Sequence, residues 1–216
     1  MIGDNGGMNV WVRSSASKPA VSPTGGPGGG GMLTFDRTLS QFLDGGARKL
    51  NVASNGGFTF VSVMKFTGSA GAHERLIDFG NAASSDSIAI YRDVETTSMN
   101  AGIWNGATAC VISVAGAINQ NNWQKIVMTY NAANFALTLT VDLLTQSKTC
   151  PTMTIRTLTR TFVGKSNWAA DGTLNANIAG LYAVDALLTT AQINSLIASM
   201  HAGLDAQEVC RACPAG

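Results

Sequence analysis

The chain has 216 residues and a mass of 22.4 kDa, with 45% apolar but only 12% charged residues. A net charge of +1 leaves no field to draw in nucleic acid or an anionic membrane surface, and no apolar run approaches the ~20 residues that cross a bilayer. The length suits one all-β core, and with charge well below the ~25% of ordinary soluble domains the surface must be covered by Thr, Ser, Asn and Gly.

In chain order, residues 9–13 read as a first strand. Residues 14–31 are poor in apolar side chains and rich in Ser, Pro and Gly, so they read as an extended linker that buries no core. That leaves the first strand to pair with its own sheet or with the exposed sheet edge of a neighbouring subunit. Strands are then predicted over 32–36, 58–66, 75–79, 87–92, 98–104, 110–114, 124–130, 135–141, 161–164 and 178–184. Turn residues such as Asn55-Gly56-Gly57, Asn105-Gly106 and Asp171-Gly172 separate them.

Two kinds of strand differ by period. Phe135, Leu137, Leu139 and Val141 alternate with Ala136, Thr138 and Thr140, which gives one dry and one wet face. Residues 58–66 and 178–184 are apolar on both sides and read as central strands covered above and below. One helix is predicted near the end: Thr189-Thr190 caps it, Gln192 completes a capping box, and Ile193, Leu196, Ile197 and Met200 recur at helical spacing.

Cys110 and Cys150 each sit beside a strand-like run. A bridge between them would close a loop of about 40 residues and stabilise by about 4 kcal/mol, and would place the chain in an oxidising compartment; the alternative is two buried thiols. Met1 to Gly7 has neither the basic nor the apolar region of a secretory signal, so secretion implies a processed precursor. No Asn-x-Ser/Thr sequon occurs, and the Ser/Thr/Pro segment is the place for O-glycans.

The element order from Phe58 onward resembles the laminin-G-like, concanavalin A-like family. The resemblance is carried by Gly57-Phe58-Thr59-Phe60 with Glu74-Arg75-Leu76-Ile77-Asp78-Phe79-Gly80, and by Trp123-Gln124-Lys125-Ile126-Val127-Met128-Thr129-Tyr130. Phe162-Val163-Gly164-Lys165-Ser166 and Asn177-Ile178-Ala179-Gly180-Leu181-Tyr182 continue it. Asp142 is followed by Leu143 where that family usually turns on Gly. The tail Cys210-Arg211-Ala212-Cys213-Pro214-Ala215-Gly216 resembles the opening of extracellular C-x-x-C-P-x-G repeats, with the partners of Cys210 and Cys213 left open. The resemblance implies an all-β, antiparallel two-sheet jelly-roll sandwich with one short C-terminal helix. The chain then divides into an N-terminal strand and linker (1–31), the sandwich (32–204) and a Cys-containing tail (205–216).

Catalysis finds little support in the residues. Glycosidases need two carboxylates about 5 to 9.5 Å apart. Glu74, Glu95 and Glu208 are the glutamates, and Glu74 and Asp78 share a face of a regular strand but stand four residues, roughly 13 Å, apart. His73 and His201 adjoin no nucleophile elbow, and Cys210, Cys213 and His201 lack a fourth zinc ligand. The family resemblance implies a candidate calcium set of Asp171, Asn167 and Asn175 in one loop with Asp78 from another strand; the plainer reading makes Asp171-Gly172 a turn. Sugar binding needs aromatic faces beside planar hydrogen-bonding groups, and Trp104, Asn105, Asn167 and Trp168, with Tyr91 behind them, are the candidates, although each Trp also suits ordinary packing. Trp123 reads as core.

The expected function is a non-catalytic, secreted or cell-surface binding or adhesion module for glycans or other extracellular proteins. The alternative is a structural subunit of an extracellular filament or coat, a homopolymer joined by N-terminal strand exchange. A glycoside hydrolase is the distant third.

Overall fold

A computed structural model describes residues 3–4, 7–8, 12–13, 18–50, 56–69, 71–82, 86–93, 97–106, 108–152 and 156–201. The first strands are β1 (Gly3–Asp4), β2 (Gly7–Met8), β3 (Val12–Arg13), β4 (Ala20–Ser22), β5 (Met32–Phe35), β6 (Leu43–Asp44) and β7 (Arg48–Leu50). The long ones follow: β8 (Gly57–Phe66), β9 (Glu74–Gly80), β10 (Ser87–Arg92), β11 (Met99–Asn105), β12 (Thr108–Val114), β13 (Gln124–Asn131), β14 (Ala136–Val141) and β15 (Leu144–Thr149). β16 (Arg156–Leu158), β17 (Arg160–Val163), β18 (Ala176–Val184) and helix α1 (Thr190–His201) complete the order.

Fourteen of these strands form two antiparallel seven-stranded sheets, and β1 with β2 and β7 with β16 form separate two-stranded pairs. The front sheet runs β12-β11-β10-β9-β17-β6-β3 and the back sheet β15-β14-β13-β8-β18-β5-β4. Between them lies the core: Phe58, Phe60, Met64, Ile126, Met128, Leu137 and Leu139 from the back meet Ile77, Phe79, Ile88, Ile90, Met99 and Ile103 from the front. Phe60 and Phe79 touch edge to face across the gap, with ring centroids 5.3 Å apart. This is the all-β sandwich with one helix that the pattern predicts.

The strands apolar on both sides sit where that pattern places them. β8 is the middle strand of the back sheet with β18 beside it. Their second apolar face, Val61, Val63 and Ala179, is covered by Ile197 and Met200 of α1. The helix starts at a capping box, Thr189 N–H donating to Gln192 Oε1 (2.9 Å) and Gln192 N–H returning to Thr189 Oγ1 (3.3 Å). Gly180 is required here, because a Cβ would press into the Met200 side chain. Trp123 belongs to this outer cluster rather than to the core between the sheets, with Lys65 Nζ 5.1 Å from its ring.

The structure differs from the sequence reading in several places. Phe135, read as the first dry-face residue of its strand, instead adopts φ 57° in the turn before β14 and is exposed. The short strands β6, β7 and β16 are additional to the predicted set. β15 was not predicted, because all six of its side chains are exposed and none alternates; it is held by its register on β14, Val141 opposite Leu144. The hairpin between them turns at Asp142, which adopts φ 53° where glycine is usual. Its carboxylate accepts from Lys125 N–H and Gln124 Nε2, and Leu143 projects into solvent at the tip. Within the stretch read as a linker, Ala20–Ser22 pairs with β5.

Of the predicted first strand, Val12 and Arg13 pair with Asp44 and Leu43 in the same chain. Cys110 and Cys150 form a disulfide with Cα atoms 5.5 Å apart, joining β12 to the end of β15 across one side of the sandwich. Cys210, Cys213, Glu95 and Glu208 lie outside the described residues. Among the described residues no helix is long and apolar enough to cross a membrane.

Candidate functional site

The outward face of the front sheet carries the site. On β11 the residues Met99, Ala101 and Ile103 point into the core, so Asn100, Gly102 and Trp104 point out. By register, Tyr91 lies beside Asn100, Ala89 beside Gly102 and Ser87 beside Trp104. On β9 the register shifts by one residue between Ile90 and Tyr91, a β-bulge that leaves Leu76 unpaired. The bulge puts Arg75 on the same outward face as Asp78, and Glu74 on the other.

Small residues then let the large rings lie flat. A Cβ on Gly102 would overlap the six-membered ring of Trp104, which therefore rests on the sheet itself. Trp168, from the loop between β17 and β18, comes to 5.4 Å from Trp104, and Tyr91 to 6.4 Å. The Arg75 guanidinium is held 4.2 Å from the Tyr91 ring centre and 4.9 Å from that of Trp168. All three aromatic rings remain half-buried, whereas Arg75 is buried.

A network of polar groups fixes this arrangement. Arg75 Nε and Nη2 donate to Asp171 Oδ2 (3.1 and 2.6 Å), and Asp78 Oδ2 lies 3.8 Å from Nε. Ser166 Oγ donates to Asp171 (2.6 Å) and accepts from Trp168 N–H (3.0 Å), which ties the tryptophan loop to the sheet. Asp78 accepts from Asn167 N–H (3.0 Å) and Nδ2 (2.8 Å). Burial pushes the Asp78 carboxyl above its ordinary 3.8, against the lowering donors of Asn167 and the Arg75 charge. Burial likewise raises the Tyr91 phenol. At the rim His73 Nδ1 faces Asp93 Oδ1 at 3.0 Å.

Of the sugar-binding candidates, Trp104, Tyr91, Trp168 and Asn167 converge here. Asn105 pairs with Thr108 at the end of the β11–β12 hairpin. Of the calcium set, Asp78, Asn167 and Asp171 come together, but around Arg75 in place of a metal. A cation bound to both carboxylates at ligand distance would press against that guanidinium, so these residues do not fit calcium. Asn175 lies elsewhere, its carbonyl accepting from Thr67 N–H at 3.1 Å. Among the described residues no group of three or more His, Cys, Asp or Glu is placed to hold a metal.

Glu74 and Asp78 are separated rather than opposed. Glu74 is buried between the guanidiniums of Arg92 and Arg37, while Asp78 is locked by Ser166 and Asn167. The residues that sequence reasoning missed are Arg75, Asn100 and Gly102. Arg75 was visible only as the single cation of a strand that also carries Glu74 and Asp78, and Gly102 as a glycine in a strand interior, a sign of close approach.

No protein-family model matches this chain, and no curated protein is significantly similar in sequence. Solved structures resemble it in three dimensions. A full-length tailspike protein 2 from an Escherichia coli O157:H7 bacteriophage aligns over 91% of the chain with TM-score 0.62 and 12% identity. The chain spans 28% of that protein's length. A Ruminococcus gnavus sialidase CBM40 domain, solved with α2,3-sialyllactose, aligns over 66% of the chain and 82% of its own, with TM-score 0.53 and 13% identity. The binding domain of botulinum neurotoxin DC, in complex with rat synaptotagmin II, aligns over 79% of the chain and 40% of its own, with TM-score 0.51 and 14% identity. The likeness is one of fold.

Proposed function

We propose that the protein is a non-catalytic, extracellular binding module that takes a glycan on the outward face of its front sheet. The observation that carries this reading is the half-exposed pair Trp104 and Trp168 beside Tyr91, with a buried guanidinium held between two of the rings. Aromatic faces of this kind stack on the C–H face of a sugar ring, and the amides and guanidinium around them suit its hydroxyls. Glu74 and Asp78 point to opposite sides of β9, and the two acids that do converge, Asp78 and Asp171, are held by Arg75, Ser166 and Asn167, which supports binding without turnover. A similar fold occurs in a sialidase domain bound to sialyllactose and in a toxin binding domain in complex with synaptotagmin, so glycan and protein ligands are both compatible with a binding role. The disulfide supports an oxidising location.

Titration of intrinsic tryptophan fluorescence against a glycan array's positives tests the reading. Trp104→Ala and Trp168→Ala should each weaken binding by about tenfold, the ~1.4 kcal/mol of one good aromatic contact. A folded protein that binds no glycan on the array would overturn it.

A second reading, a self-assembling subunit, rests on the two-residue pairing of β3 with β6 at the end of the front sheet. So short a contact is readily exchanged between copies. Deleting residues 1–13 should then abolish assembly seen by electron microscopy; unchanged polymers would refute strand exchange.

A further inference from the structure

Three polar atoms around the aromatic face have no hydrogen-bond partner among the described residues: Arg75 Nη1, Asn100 Nδ2 and Asn167 Oδ1. Arg75 is 5% exposed and Asn100 4%. Buried donors of this kind are almost always satisfied in folded proteins, and two here stand one strand apart, on either side of Tyr91 in the same cross-sheet row. The set holds two donors and one acceptor, each covered by its neighbours in the unbound protein, beside a flat apolar platform. Two adjacent hydroxyls of a pyranose, each able to donate and accept, match that set while the ring's C–H face lies on the tryptophans.

The charges decide which pyranose. Arg75 is the single cation in the network, and it already faces two carboxylates, Asp171 at 2.6 Å and Asp78 at 3.8 Å. Asp93 adds a third acid at the rim beside His73. A ligand carboxylate would replace no water-exposed cation and would meet an excess of negative charge in a partly desolvated site.

We infer that the face selects neutral pyranoses, seating two neighbouring hydroxyls on Arg75, Asn100 and Asn167, and excludes sugars that carry a carboxylate. This inference rests on the glycan-binding reading and names its ligand class.

The experiment compares matched β-1,4-linked polymers that differ only by CH₂OH against COO⁻: mannan with polymannuronate, and glucan with polyglucuronate. Binding to the full chain is measured by tryptophan fluorescence and calorimetry at low and at physiological salt. The expected result is binding of at least one neutral polymer, with its uronate at least tenfold weaker and the gap narrowing as salt screens the acids. A uronate bound as tightly as its neutral partner overturns the charge assignment while leaving a glycan site in place. No binding by any polymer, together with an array without positives, overturns the glycan reading itself.

Asn100→Leu, close in shape and lacking the amide, separates a binding role from a structural one. It should raise or preserve the melting temperature, because an unsatisfied buried donor is removed, and should weaken the neutral polymer about tenfold. A variant that melts lower yet binds normally would assign Asn100 to the fold alone and sink its part in the site.

Discussion

On the back sheet's outward face, Val61, Val63 and Ala179 lie beneath Ile197 and Met200 of the helix. On the front sheet's outward face, Tyr91, Asn100 and Trp104 meet Arg75 and the loop residue Trp168 instead. Both faces use a glycine for close approach, Gly180 under Met200 and Gly102 under Trp104. What differs is the chemistry left after the rings and methyls have packed. Under the helix the back face is hydrocarbon on hydrocarbon, with polar groups such as Lys65, Tyr182 and Asn177 beside that contact. The front face keeps half-exposed rings and unpaired polar atoms, which cost stability unless something binds them. A sheet face that its own helix covers is part of the fold, and one that keeps unmet donors beside open aromatics is equipped for a ligand.

Breaking the covered face should cost most. Met200→Ala removes a fully buried side chain and should lower stability by about 2–4 kcal/mol in urea titration, with sugar binding unchanged. Trp168→Ala should show the mirror image. Its ring is half-buried at a loop, so the loss of stability should be smaller, about 1 kcal/mol, while binding falls. If Met200→Ala abolished binding, or Trp168→Ala unfolded the chain, the two faces would not be separable in this way.

The smallest effect sharpens the front face alone. The folded pKa of Asp78 lies above its unfolded value of 3.8, so its stabilising contribution is fully present below that pH and is lost as pH rises through the raised folded value. Asp78→Asn, which no longer titrates, should lose that component of the pH slope. Thermal melts of both proteins across this window check it, and identical slopes would show that Asp78 titrates normally.

Much of the fold was legible in advance, because burial acts through local pattern. Alternation at 137, 139 and 141 places β14, the capping residues Thr189 and Gln192 start α1, and Cys110 within β12 bridges to Cys150 just past β15. β15 escaped because a solvated edge strand carries no periodic apolar signal; only its partner defines it. The site was half legible. Its aromatic and amide residues stood out by type, but nothing local joined Tyr91, Trp104 and Trp168 to Arg75.

That joining depends on register. One extra residue at Leu76 turns Arg75 to the face of Asp78 and carries Glu74 away from it, so a pair that a regular strand would align is parted and a cation enters the cluster. The amino-acid sequence by itself determines which segments become strands and which faces must be dry, since these follow from side-chain period and polarity over a few residues. Which residues from β9, β10, β11 and the loop after β17 meet, and that two acids there surround a guanidinium, only the tertiary structure decides, because strand order and a single bulge bring together positions as many as 96 residues apart.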